Sequence, residues 1–199
     1  MITLMIGGAR SGKSSYAETY CLTKTKESGS KHKQSKPAYI ATAQVYDQEM
    51  NDRVQKHQQR RKDLWDTFEE PYEVPSLIQK ISGQYEVILL DCLTLYITNL
   101  LLIDFDDQHN DLIAFADQKE ELIRSRICEM IESVPKDTDL VIVSNEVGLG
   151  IVPENFLSRT FRDISGRMNQ LVAEQADQVY FTVAGIPIKI KPELERIIP

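Results

Sequence analysis

Eight residues near the amino terminus, Gly7-Gly8-Ala9-Arg10-Ser11-Gly12-Lys13-Ser14, satisfy the pattern G-x-x-x-x-G-K-[ST] at every required position. Gly7 and Gly12 reach backbone angles closed to other residues, so successive amide N–H groups turn inward on phosphate oxygens. A helix starting near Lys13 adds its positive dipole end. Lys13 brings a point charge to the β and γ phosphates, and Ser14 brings a hydroxyl to Mg²⁺. The chemistry is the holding of a nucleoside triphosphate. Asp91 ends the apolar run Val87-Ile88-Leu89-Leu90 and is the natural second carboxylate for the metal, directly or through water. The competing role for Asp91 is to cap a helix that follows a core strand.

Histidine is the other residue type that does chemistry near neutral pH, and the chain has three: His32, His57 and His109. His32 and His109 stand in polar stretches and read as solvated. His57 lies in Asp52-Arg53-Val54-Gln55-Lys56-His57-Gln58-Gln59-Arg60-Arg61, a polar helical stretch with four basic residues around it. Composition alone makes it a surface residue.

These residues need a scaffold, and the apolar pattern supplies one. Ile2–Ile6, 37–43, Tyr85–Asp91, Leu140–Ser144 and 178–184 read as strands, with a final strand at Ile186–Ile190 after a tight Gly185 turn. Helices are expected at Lys13–Leu22, Asp47–Leu64, Leu77–Ser82, Leu95–Ile103, Leu112–Ser133 and Glu154–Ala176. Leu122, Ile123, Ile127, Met130 and Ile131 would form the buried stripe of the 112–133 helix. Residues 23–36, TKTKESGSKHKQSK, are polar and lysine-rich, and read as a mobile loop. Alternating strands and helices predict an α/β fold with a mostly parallel central sheet and helices on both faces.

At 199 residues the chain is expected to form a single nucleotide-binding domain spanning 1–199. A net charge of −7 disfavours nucleic acid as a partner. Cys21, Cys92 and Cys128 lack metal-ligand spacing, and their odd number argues against a disulfide framework. No run approaches a membrane span, and the short Ile2–Ile6 stretch is no signal peptide. A cytoplasmic location is the expectation.

Four segments taken together, GGARSGKSSYAE, YIATAQVYDQEMNDRVQKHQQRRKDLWDTFEEP, ILLDCLTLYITNLL and VSNEVGLGIVPENFLSRTFRDISGRMNQLVAEQADQVYFTVAGIPIKIK, resemble one family. It is the bifunctional adenosylcobinamide kinase and adenosylcobinamide-phosphate guanylyltransferase family of cobalamin synthesis. The motif NEVG-GIVPEN followed by FRD-x-x-GR-x-NQ is far more specific than the phosphate loop. In that family a histidine in an R-[IV]-x-x-H-x-x-x-R segment carries GMP, and Arg53, Val54, His57 and Arg61 match its fixed positions. Lys62 stands where the family commonly has proline.

The resemblance implies a P-loop NTPase fold of the RecA-like branch, with ATP, GTP and adenosylcobinamide as substrates and Mg²⁺ as the nucleotide's metal. His57 becomes a nucleophile, as a neutral imidazole can attack the α-phosphate of GTP. Arg53, Lys56, Arg60 and Arg61 either neutralise phosphate charge in the transition state or form a solvated helix face, and of the four Arg53 and Arg61 match the family pattern. Glu69 and Glu70, before Pro71, either contact nucleotide or substrate hydroxyls or belong to a loop. Asn145-Glu146, after a buried strand, either act at the carboxyl edge of the sheet or cap the loop into Gly148 and Gly150. Family members assemble as homo-oligomers, with a trimer expected.

Two alternatives stand beside this reading. One is a P-loop small-molecule kinase without nucleotidyl transfer, in which His57 is only surface. The other is a nucleotide-dependent switch or motor. Against a switch, Ser144-Asn145-Glu146-Val147 does not fit the base-reading N-K-x-D motif.

Overall fold

Three strands that the chain reaches at very different times lie side by side at the middle of one sheet. In the computed structural model, which describes residues 1–28, 34–44, 63–105 and 111–192, β1 (Ile2–Gly7) pairs with both β5 (Asp139–Asn145) and β6 (Gln178–Val183). The remaining strands are β2 (Ala38–Ala41), β3 (Asp66–Glu69), β4 (Val87–Asp91) and β7 (Ile186–Lys191). The sheet order is β3-β2-β4-β5-β1-β6-β7. Every pairing is parallel except that of β6 with β7. Strand β5 stands between β1 and β4.

The apolar runs are unbroken because both faces of the sheet are covered. Successive side chains point to opposite faces, so Leu4, Leu90 and Ile142 join one core while Met5, Leu89 and Val141 join the other. Helix α1 (Lys13–Ser28) packs on the second face through Ala17 and Cys21. Helices α2 (Val74–Ile81), α3 (Leu93–Leu102), α4 (Leu112–Glu132) and α5 (Phe156–Gln175) cover the first. From β3 through β6 the chain crosses the sheet in one direction and keeps its helices on this face. It leaves β1 for β2 in the opposite direction, with α1 on the other face. Right-handed crossovers require that division.

The structure corrects the expected 23–36 loop, because α1 does not stop at Leu22 but runs to Ser28. The Thr23 and Thr25 hydroxyls donate to the carbonyls of Thr19 and Cys21, and the Lys24 ammonium pairs with Asp139 at 2.8 Å. The polar run is therefore in part the solvent face of a helix tied to the start of β5. Residues 29–33 lie outside the described residues, as does most of the helix expected at 47–64. Strand β3 is not among the expected elements; it is a four-residue strand at the end of the sheet, half-buried in alternation. Leu122 is 40% exposed rather than part of the buried stripe of α4, where Phe115 and Lys119 join Ile123, Ile127, Met130 and Ile131 instead. The Lys119 ammonium reaches the carbonyl of Ile103, which makes its burial possible.

Candidate functional site

Strand β1 delivers Gly7 opposite Asn145 on one side and Thr182 on the other. A Cβ at Gly7 would sit 2.5 Å from the carbonyl oxygen of Thr182 and 2.7 Å from Ser11 Oγ. Gly7→Ala is therefore expected to destabilise the fold by roughly 1–3 kcal/mol through forced backbone movement, read as a lower urea midpoint. The loop then turns through Arg10 at φ +58° and Gly12 at φ +93°. These left-handed angles are where glycine is favoured. A backbone bond from Ser11 N to Gly8 O, 3.2 Å, closes the turn.

The loop is braced from outside. Gly185, in the turn joining β6 to β7, donates its N–H to Ser11 O at 2.8 Å, and its Cα would lie 3.1 Å from a Cβ placed on Gly12. In the sequence Gly185 shows only as a strand separator. Its role as a brace becomes visible once β6 is known to neighbour β1.

Lys13, the first residue of α1, is 7% exposed, and its Nζ donates to Gly8 O at 3.1 Å. Burial pushes its pKa below the usual lysine value, opposed by the nearby Cys92 and by the carboxylate of Asp91. A cavity of about 240 Å³ is lined by Arg10, Ser11, Gly12, Lys13, Ser14 and Ser15. Gly8 and Ala9 lie in the turn between β1 and these residues.

Asp91 closes β4 and stands opposite Val143 of β5 and Ala41 of β2. Across the intervening β5 it shares the electrostatic surroundings of Lys13. The Tyr39 hydroxyl donates to Asp91 Oδ2 at 2.7 Å and orients the carboxylate. The capping role is not adopted: the N-cap of α3 is Cys92, and no side-chain cap bond closes that helix. Beside it, the Thr42 hydroxyl donates to Cys92 O at 2.8 Å and accepts from Cys92 N at 2.9 Å. Asn99 bridges the carbonyls of Thr42 and Pro71. None of this polar bracing of the strand ends carries a sequence signal.

Glu69 ends β3 opposite Ala41, so it stands on the same sheet edge two strands from Asp91. Its neighbour Glu70 serves the backbone instead. Glu70 Oε1 accepts from Tyr72 N at 3.0 Å and Glu73 N at 2.8 Å, shaping the entry to α2. Glu146 likewise shapes a turn. Its backbone N donates to Gly7 O at 3.0 Å, and its Oε1 accepts from Gly148 N at 2.6 Å. Asn145 N bonds Thr94 Oγ1 at 2.7 Å, and Asn145 O accepts from Asn169, locking the end of β5. The Glu146 contact to Gly148 is the loop-capping contact expected as one of the two alternatives, while the Asn145 bonds run through its backbone to Thr94 and Asn169.

The structure thus brings together the phosphate loop, Asp91 and Glu69 along the carboxyl edge of the parallel strands. Arg53, His57 and Arg61, like His32 and His109, lie outside the described residues. Among the described residues no cluster of three or more His, Cys, Asp or Glu side chains suits a metal, and no helix is long and apolar enough to cross a membrane.

A family model described as cobinamide kinase / cobinamide phosphate guanyltransferase matches residues 3–190. The bifunctional adenosylcobalamin biosynthesis protein CobU of Escherichia coli is 40% identical over 192 residues, covering 96% of this chain and 100% of the relative. A similarly named CobP of Pseudomonas aeruginosa is 40% identical over 193 residues, covering 97% and 99%. CobU of Salmonella typhimurium is 40% identical over 195 residues, covering 96% and 100%. A match of this extent, on a chain whose glycine loop follows β1 and is braced by Gly185, places the protein: it belongs to the cobinamide kinase / cobinamide phosphate guanyltransferase family.

Proposed function

We propose that this protein catalyses two transfers to one corrinoid. In the first, the hydroxyl of the aminopropanol arm of adenosylcobinamide attacks the γ-phosphorus of ATP or GTP, and the nucleoside diphosphate leaves. In the second, a ring nitrogen of His57 attacks the α-phosphorus of GTP and pyrophosphate leaves. A terminal phosphate oxygen of adenosylcobinamide phosphate then displaces the imidazole, breaking the P–N bond and giving adenosylcobinamide-GDP. The observation that carries the reading is the Gly7–Ser14 loop, with buried Lys13 and with Asp91 nearby, in a chain matching the family model over residues 3–190.

The residues divide the chemistry among them. Backbone amides of the loop hold phosphate oxygens, and Ser11 Oγ, buried with no partner among the described residues, adds an unused hydroxyl. Lys13 stabilises charge on the transferred phosphoryl group. Arg53 and Arg61 neutralise the α-phosphate during attack by His57. Glu69 orients nucleotide hydroxyls from the sheet edge. Ser14 and Asp91 fit Mg²⁺, a hard cation that takes one or two protein oxygens and completes its shell with phosphates and water. The metal's contribution is charge neutralisation on the phosphates. Asp91→Asn is accordingly expected to raise the Mg²⁺ concentration giving half-maximal kinase rate by roughly tenfold or more, read from a Mg²⁺ titration. Likeness to the family completes the reading as a cytoplasmic homotrimer of single-domain subunits.

The test is to incubate the purified protein with Mg²⁺, adenosylcobinamide and ATP labelled at the γ-phosphate, then to add GTP labelled at the α-phosphate. Sequential appearance of both labels in the corrinoid is expected. γ-Label transfer without α-label would leave the kinase-only alternative, and nucleotide hydrolysis without any labelled corrinoid would overturn both halves.

A further inference from the structure

The two most exposed large apolar side chains among the described residues sit on one short loop next to the phosphate site. In the connection from β5 to α5, Ile151 is 96% and Leu149 83% exposed, and Val152 is 60% exposed. The loop is anchored at both ends. Glu146 N bonds Gly7 O, so the connection starts on the first glycine of the phosphate loop. At the other end the Arg159 guanidinium holds the carbonyls of Pro153 and Glu154. An anchored segment that turns three neighbouring apolar residues to water marks a contact surface.

The position of this surface selects its occupant. Transfer from a nucleotide held by residues 7–14 brings the acceptor hydroxyl to that loop, and the body of the acceptor then extends over the carboxyl edge of the sheet. On the Asp91 side that edge carries the carboxylates Asp91 and Glu69; on the 146–153 side it presents Leu149, Ile151 and Val152. We infer that these three residues form the apolar platform for the macrocycle of the corrinoid acceptor, whose broad, methyl-bearing rim needs such a contact. This assignment rests on the two-transfer reading above.

The test compares the wild type with Leu149→Asn/Ile151→Asn and with Leu149→Met/Ile151→Leu, measuring kinase kinetics and equilibrium dialysis of adenosylcobinamide. Removal of ground-state binding raises KM with little change in kcat. The Asn pair is expected to raise the KM and the dialysis Kd for adenosylcobinamide about tenfold or more, with KM for ATP and Tm held, while the apolar pair keeps wild-type values. An unchanged corrinoid KM and Kd in the Asn pair would overturn the platform. So would sedimentation showing that the Asn pair dissociates a wild-type oligomer while corrinoid affinity holds, because the occupant is then a second copy of the chain. Failure of the wild type itself to phosphorylate adenosylcobinamide would instead overturn the parent reading, and the platform with it.

Discussion

Lys13→Met is expected to lose about a hundredfold to a thousandfold in kinase rate while the nucleotide-free protein stays folded. The ammonium is buried and bonded to Gly8 O at 3.1 Å. Its removal deletes one hydrogen bond but also one buried charge, and Met keeps most of the stem's packing. The two effects oppose, so the net change is expected to stay under about 1 kcal/mol, a Tm shift of roughly 2–4 °C at most. Loss of nucleotide-dependent stabilisation is the sharper signature. At a hundred times Kd, ATP adds about 2.7 kcal/mol to the wild type, and the variant should show little of this gain.

The pH dependence has a definite sign. Burial lowers the pKa of Lys13 in the folded protein, so the unfolded chain binds that proton more tightly. Protonation therefore costs stability in full below the folded-state pKa, and the cost fades as pH rises from there toward the unfolded value. Relative to wild type, Lys13→Met should gain most at neutral pH and lose that advantage at high pH. Differential scanning measurements across that range, with and without ATP, test the whole set. A variant that retains the ATP-induced Tm rise and the kinase rate would remove Lys13 from the site.

His57→Ala is expected to abolish covalent labelling by GTP marked at the α-phosphate. A phosphoramidate is labile in acid and stable in base, which separates it from serine and carboxylate esters. With three histidines in the chain, and only His57 inside the R-[IV]-x-x-H-x-x-x-R pattern, the loss should be complete rather than partial. Phosphorylation of adenosylcobinamide by ATP should persist, because that step needs Lys13 and the metal and not the imidazole. Label surviving in His57→Ala would move the nucleophile to His32 or His109. Absence of label from wild type under saturating GTP would leave a kinase alone.

What can be read from the chain alone follows the physics of each element. The phosphate loop is contiguous, so eight letters contain it. Asp91 is visible because a strand buried on both faces leaves an uninterrupted apolar run, and the carboxylate that ends it stands out. Strand β3 leaves no such trace: at four residues, half-buried in alternation, Asp66–Glu69 looks like part of the loop that holds Glu69 and Glu70. The last turns of α1 are hidden for another reason. The Lys24–Asp139 pair ties them to a residue far away in the chain, and local propensity does not report such partners. Gly185 behind Ser11, and Thr42 and Asn99 behind Asp91, belong to the same class of long-range support.

The central place of β1 has a consequence for biosynthesis. Its strand neighbours are β5 and β6, so β1, translated ahead of both, waits for residues 139–145 to pair one edge and for residues 178–183 to pair the other. At about 5–20 residues per second, the ribosome takes roughly 9–35 s to travel from Gly7 to Val183. Over that interval the apolar run Ile2–Ile6 needs shielding from other chains. A polypeptide released before Gln178 carries the complete glycine motif with one side of Gly7 bare and no Gly185 to brace Ser11, so nucleotide retention reports that translation has passed Gly185.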